Sequence, residues 1–566
     1  MSRVAALTLC ALTVGCAKTP GGDPNRVVPA EAETVIVVSS LDEVQRRATT
    51  FLAGIEGASG ALDLLADRFG LDLRSPEGPE ALGLDASRGV TVHVRKVGDG
   101  EAVVVAASVS DRERFMDKVG TRLQSGAGAR PLPGTGDVLH FELASSVVET
   151  PPTVPPAAEP TVAAAPQAVA PATTLALGVT SDGVGVLVLA RGADAGAVWQ
   201  AVATTPTGAT FAGSPRAAKA TATVGATDAT GAVVAPLVTF VMGNPLPDAP
   251  ESLGLARGIV QGIRDSLPAW EGGLSLDADR LVLKVAADHV GEGNLPVSWV
   301  RPEGSPEALA KVFPKTTTAF LRLRVDLGKV RKIPSFLREG LLPERLPGLE
   351  GAPLPAVSDL IEMVDGDVAV ALLGLDPATN LATLGSRRVL RERALSLVHV
   401  AIAAKLRDVE MTRRAFAGIA SQLGTSGWSV AELEHTPYRG WSFVRDGMHY
   451  AVLIDGEVAI FVIGPGEVDS FFAVRDGRAT SLASLATPSA SPTQGAVGAG
   501  TANEALGQEG QTALGLVIGP LRLARELSAR GVPPYFLKII NDVRVVAASV
   551  RADEKRLGLS FQVDLR

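Results

Sequence analysis

The chain has 566 residues, of which 46% are hydrophobic, and it carries 53 basic against 61 acidic side chains, a formal net charge of −8. This acidic balance argues against nucleic acid or an anionic membrane surface as a partner of the body, because both attract basic patches. After the N-terminal segment, no stretch approaches the roughly 18 uninterrupted apolar residues of a membrane-spanning helix, so the sequence predicts a water-soluble body with a large core.

The first sixteen residues have the pattern of an export signal. Arg3 precedes an uncharged apolar run over 4–14 that is too short to span a bilayer, and Gly15 stands directly before Cys16. The segment LTVGC resembles the lipobox of bacterial lipoproteins. The resemblance implies cleavage after residue 15, acylation of Cys16 with palmitate-like chains, and a lipid-anchored protein of the cell envelope. Ala17 follows the cysteine where Asp would favour the inner membrane, which by the same resemblance implies the outer membrane.

Two alternatives to the lipoprotein signal stay open at this point: an ordinary cleaved secretory signal and an uncleaved segment. Residues 16–33 are rich in Pro, Gly and charge, a composition that predicts a flexible tether. The two cysteines of the chain are Cys10, inside the predicted signal peptide 1–15, and Cys16. The mature chain would therefore contain no disulfide, no thiolate metal site and no cysteine nucleophile.

The rest of the chain repeats one order of elements twice. Four landmarks in the first cycle align with four in the second: Pro29 with Pro314, Gly89 with Gly366, Asp182 with Asp455, and Ala278 with Ala552. Because the four offsets stay between 273 and 285 residues, we expect two tandem related halves over 34–300 and 301–566. Each half is expected to be an α+β unit of antiparallel sheets, or meanders, with amphipathic helices. The alternative is that any antiparallel protein repeats strand–turn–strand patterns.

Capping patterns predict where strands give way to helices. Ser40 with Glu43, and Ser110 with Glu113, have the spacing of capping boxes, and Asp408 is a predicted N-cap in the second half. After these caps, apolar residues recur at helical spacing: Val44, Ala48, Phe51 and Ile55 in the first helix, and Phe115, Val119 and Leu123 in the second.

Asp-Gly pairs and low-complexity stretches predict turns and inserts. Asp446-Gly447 and Asp455-Gly456 separate three apolar runs and predict a meander with type I′ turns. A Pro/Ala-rich segment over 145–174 is expected to be a disordered excursion between two paired strands. A second low-complexity insert is expected over 479–510, and the Ala/Thr/Gly-rich stretch 204–232 is its expected counterpart in the first half.

The sequence contains none of the common motifs that carry chemistry. It has no phosphate-binding loop, no HExxH, no GxSxG, no SxxK and no EF-hand loop. No two of the six histidines lie three to five residues apart, as a metal pair on a helix would. We therefore predict no catalytic residues, no metal and no cofactor.

Four aromatic residues form one anomaly in composition. The chain has three Tyr and five Trp, yet Trp428, Tyr438, Trp441 and Tyr450 fall within one short stretch. Trp and Tyr give large rigid contact areas with a polar tip, so these residues are a candidate ligand surface. The alternative is that they pack the meander as cross-strand pairs.

These patterns indicate an anchored protein with a non-catalytic role in binding, scaffolding or envelope assembly, and with a protein or small-molecule partner that the sequence does not define. One alternative is an envelope hydrolase whose two carboxyl groups meet in a cleft with a raised pKa. The other alternative is a carrier of a lipid or another hydrophobic ligand, with an apolar site between the halves.

Overall fold

The structure of the chain is a computed structural model. It describes residues 21–55, 79–98, 100–133, 137–143, 172–204, 210–224, 226–227, 233–234, 236–244, 261, 264–290, 309–331, 353–375, 398–485, 512–529, 537, 541–552 and 556–565. Cys16, the predicted signal peptide and the predicted boundary at 300/301 lie outside these residues.

The described residues form a mixed α and β fold built on one 20-stranded antiparallel sheet, as the α+β prediction requires. In chain order the strands are β1 Thr34–Val38, β2 Val90–Val97, β3 Gly100–Ser108, β4 Ala129–Leu132, β5 Leu139–Leu143, β6 Thr173–Val179, β7 Val184–Arg191, β8 Ala226–Thr227, β9 Val233–Val234, β10 Val238–Gly243, β11 Ala269–Leu276, β12 Arg280–Asp288, β13 Ala319–Arg324, β14 Val364–Leu375, β15 Val398–Leu406, β16 Ser429–His435, β17 Tyr438–Arg445, β18 Met448–Asp455, β19 Val458–Ile463, β20 Thr512–Ile518, β21 Val543–Ala552 and β22 Arg556–Leu565. Strands β8 and β9 form a separate short hairpin.

The pairings arrange the twenty strands in one series, in which each strand is antiparallel to the next. The order is β4–β5–β6–β7–β3–β2–β1–β10–β11–β12–β22–β21–β20–β13–β14–β15–β19–β18–β17–β16. The central pair, β12 with β22, joins the N-terminal part of the chain to its C-terminal part, and Val285 lies opposite Leu559 there. We call this pair the seam.

Helices cover both faces of the sheet. The α-helices of the described residues are α1 Leu41–Ala53, α2 Arg112–Ala127, α3 Ala195–Ala203, α4 Pro215–Val224, α5 Leu327–Arg331, α6 Val357–Met363, α7 Val409–Gly424, α8 Glu467–Arg475 and α9 Pro520–Ala529. Short 3-10 helices occur at Pro24–Val27, Glu80–Leu82, Phe211–Gly213 and Leu482–Leu485.

The core lies between these helices and the sheet. Phe115 of α2 packs with Val105 of β3, and Phe416 of α7 packs with Phe443 of β17, on one face. Trp199 of α3 packs with Val186 of β7 on the opposite face. The predicted apolar positions of α1 and α2 pack as expected: Phe51, Phe115, Val119 and Leu123 are buried, and Val44, Ala48 and Ile55 are partly buried around Phe51.

The first helix begins where its cap predicts. The Ser40 hydroxyl oxygen accepts the backbone N–H of Glu43 at 3.3 Å, which satisfies one free donor of the first turn. The Glu43 carboxylate binds Arg46 at 2.6 Å and Arg47 at 2.5 Å. Because both arginines hydrogen-bond to that carboxylate, the pKa of Glu43 is lowered to about 2.

The cap of the second helix differs from the prediction by one residue. Asp111 caps α2 by accepting the backbone N–H of Arg114 at 3.0 Å, whereas the Ser110 hydroxyl donates to the carbonyl of Leu84. An ionised carboxylate is also favoured by the positive end of the helix, which explains why Asp111 takes this position. In the second half the prediction is confirmed, since Asp408 accepts the backbone N–H of Met411 at 2.8 Å.

The predicted meander is confirmed as β17, β18 and β19, with one correction to its turns. Asp446 and Gly447 both have positive φ, 50° and 77°, as a type I′ turn requires. In the next hairpin Asp455 lies opposite Val458, so that the central residues are Gly456 and Glu457. Gly456 has a φ of 54°, and Glu457 is absent from the positive-φ residues of the described chain, which is the pattern of a type II′ turn.

The predicted flexible tether over 16–33 is wrong for residues 21–33. They contain the 3-10 helix Pro24–Val27, and Val27 and Val28 are 2% and 0% exposed. The composition misleads because a few apolar residues among Pro and Gly are enough to join an existing core. The segment is part of the folded body.

The predicted insert over 479–510 is likewise wrong at its start. Leu482 is 1% exposed, and its backbone N–H donates to the carbonyl of Phe313 at 2.8 Å. Its expected counterpart over 204–232 is partly folded too, since it includes α4 and the buried Phe211. The strands flanking the predicted insert 145–174 pair as β5 and β6, and β6 takes in the last two of its residues. Residues 144–171 and 486–511 lie outside the described residues.

Candidate functional site

Ten neighbouring strands in the middle of the sheet, from β2 through the seam to β14, present an apolar face. Residues directly opposite each other in an antiparallel pair project from the same face, so the register assigns each side chain to a face. One row of opposed residues runs Val90, Val38, Val238, Leu274, Leu283, Phe561, Ala548, Leu516, Leu321 and Val370. The next row on the same face runs Val92, Ile36, Phe240, Gly272, Val285, Leu559, Val550, Leu514, Leu323 and Val368.

These two rows, which we call the apolar face, contain no polar or charged side chain over ten strands. The end of the face at β2, β1 and β10 is covered, because Val90, Val38 and Val92 pack in the core beneath α2 and Val238 packs in the cluster of Phe51 of α1.

Parts of the rest of the face are open to solvent. Leu321, Leu323, Val370 and Phe561 are 38%, 44%, 39% and 38% exposed, and they are four of the seven large hydrophobic residues that are exposed in the described chain. Their concentration on one surface is unusual, because exposed apolar residues of soluble proteins are normally scattered.

On the opposite face, the strands around the seam carry buried polar side chains, whereas β1 and β10 on one side and β20, β13 and β14 on the other carry buried apolar ones such as Val35 and Phe320. The polar side chains include Arg280, Ser549, Ser560, Gln562 and Asp564, of which Ser549, Gln562 and Asp564 are 2–3% exposed. A sheet with one solvated face usually turns its apolar side chains to the core and its polar ones to water. Around the seam this arrangement is reversed.

Asp564 is the centre of the buried polar groups at the seam. Its carboxylate accepts a hydrogen bond from Gln562 at 2.7 Å and lies 2.9 Å from Arg544 and 3.3 Å from Arg280. Arg280 belongs to β12, whereas the other three residues belong to β21 and β22. The network therefore links the two sides of the seam by charge as well as by backbone hydrogen bonds.

A second buried ion pair lies further along the same face. The guanidinium of Arg322, 1% exposed, binds the carboxylate of Asp367 through two hydrogen bonds of 2.8 and 2.5 Å. This geometry is bidentate and pairs each buried charge with its opposite, which offsets part of the cost of burying it.

His93 on β2 is a buried titratable group of a different kind. It is 0% exposed, and neither ring nitrogen has a hydrogen-bond partner among the described residues. Burial, and then the positive charge of Arg95, lower the pKa of His93 to about 4. The imidazole is therefore neutral at physiological pH.

The four aromatic residues of the candidate ligand surface lie on two faces of the sheet. Trp441 faces the same side as the apolar face, where Trp428 and Tyr450 pack together with ring centroids 5.9 Å apart. Tyr438 is 1% exposed and packs on the other side, against Phe472. Burial raises the pKa of Tyr438 to about 12, so its hydroxyl stays protonated.

Ionisable groups that could support hydrolysis or metal binding are dispersed in the described chain. Among the carboxyl groups of the described residues, the pKa of Asp42 is raised by partial burial and by the nearby charges of Glu80 and Asp85, but Asp42 lies exposed in the first turn of α1. His399 pairs with Glu467 at 2.7 Å. Within the described residues no three His, Cys, Asp or Glu side chains come together as a metal site would require.

Helices long and apolar enough to cross a membrane are absent from the described part of the chain.

Comparisons with known proteins give little. No family model matches the sequence, and no curated protein matches it. Crystal form I of TP0453 is similar over 48% of this chain and 80% of its own chain, with 10% sequence identity and a TM-score of 0.24. Crystal form III is similar over 48% of this chain and 82% of its own chain, with 9% sequence identity and a TM-score of 0.24. Crystal form IV matches with a TM-score of 0.23. Likeness at this level indicates neither the fold nor the function of this chain.

Proposed function

We propose that the chain is a lipoprotein of the bacterial outer membrane, anchored through acylated Cys16, whose body has a non-catalytic role and binds the acyl chains of a lipid on the apolar face. The observation that carries the binding proposal is the part of the apolar face between β14 and β22, where Leu321, Leu323, Val370 and Phe561 are exposed and the two rows contain no charged or hydrogen-bonding side chain. The segment LTVGC supports the anchor.

The chemistry of the apolar face favours hydrocarbon over protein as the ligand. Protein interfaces normally carry a polar rim and about one hydrogen bond per 100–200 Å². A hydrocarbon chain needs no such partner and gains about 0.8 kcal/mol for each buried methylene group. From β14 to β22 the row crosses five strands, about 19 Å at a spacing near 4.8 Å. That length accommodates the roughly 15 Å of hydrocarbon that one leaflet of a bilayer contains.

We also propose that the chain consists of two tandem related halves, 34–300 and 301–566. The strand order supports this proposal, because reading outward from the seam gives β12, β11, β10, β1, β2, β3, β7, β6, β5, β4 on one side and β22, β21, β20, β13, β14, β15, β19, β18, β17, β16 on the other. The two series have the same chain order at every position.

Local contacts at two of the sequence landmarks support the same proposal. Isolated bridges join Pro29 to Thr210 and Pro314 to Ser481. A Cβ added to Gly89 would lie 1.7 Å from the carbonyl oxygen of Val38, and one added to Gly366 would lie 1.9 Å from that of Val325. In each half, a glycine is therefore required where the second strand passes the end of the first.

The anchor is tested by replacing Cys16 with Ser. We expect the full-length variant to leave the membrane fraction and to lose metabolic labelling by a clickable fatty acid, because the acylated thiol is the attachment. A Cys10→Ser variant is the matched control and should keep both. Membrane retention of Cys16→Ser, or a parent protein without lipid label, would contradict the anchor.

The binding surface is tested with cis-parinaric acid, a fluorescent fatty acid, and the variant Leu323→Lys. We expect affinity to fall at least tenfold, since that factor corresponds to about 1.4 kcal/mol and the ammonium would be desolvated beneath the acyl chain. The control Leu132→Lys replaces a leucine that is 40% exposed on β4, away from the apolar face, and should bind as the parent does. Equal affinities for the two variants, or no binding by the parent, would refute the proposed surface.

A further inference from the structure

The first described residues of the chain are fixed against the body at one point. The backbone N–H of Gly22 donates to the carbonyl of Gly183 at 3.2 Å. A Cβ added to Gly22 would lie 2.6 Å from the carbonyl oxygen of Asp182, and one added to Gly21 would lie 2.8 Å from that of Val109. Contacts this close exclude any side chain, so both glycines serve a close backbone approach.

Side-chain contacts hold the next residues in the same place. Arg26 forms an ion pair with Asp182, and the Thr91 hydroxyl donates to the carbonyl of Pro24 at 3.1 Å. Val27 then enters the core. The point of attachment is the end of β3 and the turn between β6 and β7, and we call Val109, Asp182 and Gly183 the entry corner.

The attachment sets a limit on how far the body can move from residue 16. Five Cα-to-Cα steps lead from Cys16 to Gly21, and a fully extended chain spans at most about 3.5 Å per step, so that these two Cα atoms are never more than about 17 Å apart. A tether that ended only at residue 33 would reach about 60 Å.

We propose that the entry corner of the anchored protein lies against the bilayer surface, and that no long flexible tether separates the body from the bilayer. This inference rests on the proposed acylation of Cys16. The partner surface is the phospholipid bilayer that holds the anchor. Arg26 and Asp182 neutralise each other in their ion pair at the entry corner. These two side chains therefore neither attract nor repel charged lipid headgroups strongly.

Helix α2 offers two positions at which the distance from the bilayer can be compared. It begins beside the entry corner, since the backbone N–H of Val109 donates to the carbonyl of Gly183 and Asp111 caps the helix. Glu113 in its first turn and Gln124 in its last turn are both exposed. At 1.5 Å per residue these two positions are about 16 Å apart along the helix axis.

The test uses the full-length lipidated protein in phosphatidylethanolamine/phosphatidylglycerol vesicles. Glu113→Cys and Gln124→Cys each provide one free thiol for a fluorophore, because the thiol of Cys16 is blocked by lipid. Quenching by a lipid with a headgroup quencher should be at least twofold stronger at residue 113 than at residue 124. Insertion of about 20 Gly/Ser residues after Thr19, which adds about 25 Å of root-mean-square reach, should abolish the difference.

The possible outcomes separate the orientation from the anchor. Equal quenching at the two positions in a protein that carries lipid label, or a difference unchanged by the inserted linker, would overturn the orientation and leave the anchor standing. Loss of vesicle binding together with an absence of lipid label would overturn both. A Gly22→Val variant adds an independent readout, because breaking the contact with Asp182 should reduce the difference, whereas Gly126→Ala, in open space on α2, should preserve it.

Discussion

Replacing Asp564 by Asn is expected to lower the free energy of unfolding by about 3 kcal/mol. The substitution leaves the guanidinium of Arg280, 13% exposed, without its carboxylate partner, and breaking a buried ion pair in this way typically costs about 3–5 kcal/mol. We expect the lower end of that range because Arg544, the other cation, is 41% exposed and can be hydrated. Urea denaturation at neutral pH, followed by circular dichroism, measures the change.

The matched control is Asp137→Asn. Asp137 also pairs with an arginine, Arg112 at 2.5 Å, but its side chain is 82% exposed. Exposed pairs contribute about 0–1 kcal/mol because water and salt screen them, so the control should change stability by less than about 1 kcal/mol. Similar effects of the two substitutions would show that the seam does not depend on the buried network.

Features governed by neighbouring residues could be predicted from the sequence. The caps of α1 and α7 and the hairpin at Asp446-Gly447 depend on side chains within a few residues, and each is where its pattern places it. The cap of α2 was displaced by one residue because two adjacent side chains, Ser110 and Asp111, both suit the position. Local competition of this kind is decided by tertiary contacts, here the hydrogen bond from Ser110 to Leu84.

The apolar face could not be predicted from the sequence. Strand β12, RLVLKVAAD, alternates clearly, with Leu281, Leu283 and Val285 on one side and Arg280 and Lys284 among those on the other. Alternation defines two faces but does not say which one will be covered. That choice depends on the pairing of β12 with β22, whose residues lie far away in the chain, and on where the helices pack.

The candidate aromatic surface shows the same dependence on register. Trp441 and Tyr438 both lie in β17, but an odd number of steps separates them, and side chains in a strand alternate between faces. Proximity in sequence therefore suggested one surface where the sheet has two. Tyr438 lies at the first position of β17, one residue before the predicted start of that strand, so its face could not be assigned from the sequence.

The buried polar network at the seam and the apolar face lie on opposite faces of the same strands. A buried carboxylate needs partners inside the protein, and Asp564 has them in Gln562, Arg544 and Arg280, which come from both strand series. The proposed lipid-binding surface depends on the fold around the seam, so the Asp564→Asn variant is expected to lose cis-parinaric acid binding under conditions in which it unfolds.

The stability of the protein is expected to fall by about 2 to 3 kcal/mol between pH 7 and pH 4.5 through His93 alone. Its pKa in the folded protein is about 4, against an ordinary value of 6.5. Because the folded-state value is the lower one, the unfolded chain binds the proton first as the pH falls. The contribution is therefore fully present above about pH 6.5 and is lost progressively down to about pH 4.

The variant His93→Phe isolates this contribution, since the ring fills the same buried site and does not titrate. Urea denaturation of both proteins at pH 7 and pH 4.5 should show a smaller pH effect in the variant, by about 2 to 3 kcal/mol, while the titrating carboxylates affect both proteins alike. Arg95→Gln supplies a second check. Removing that positive charge should raise the pKa of His93 and narrow the pH range over which stability is lost. If the stability of the parent and of His93→Phe changed with pH in parallel, burial would not hold the imidazole neutral. Residues 21–33 would then pack over β2 less tightly than the hydrogen bond from Thr91 to Pro24 implies.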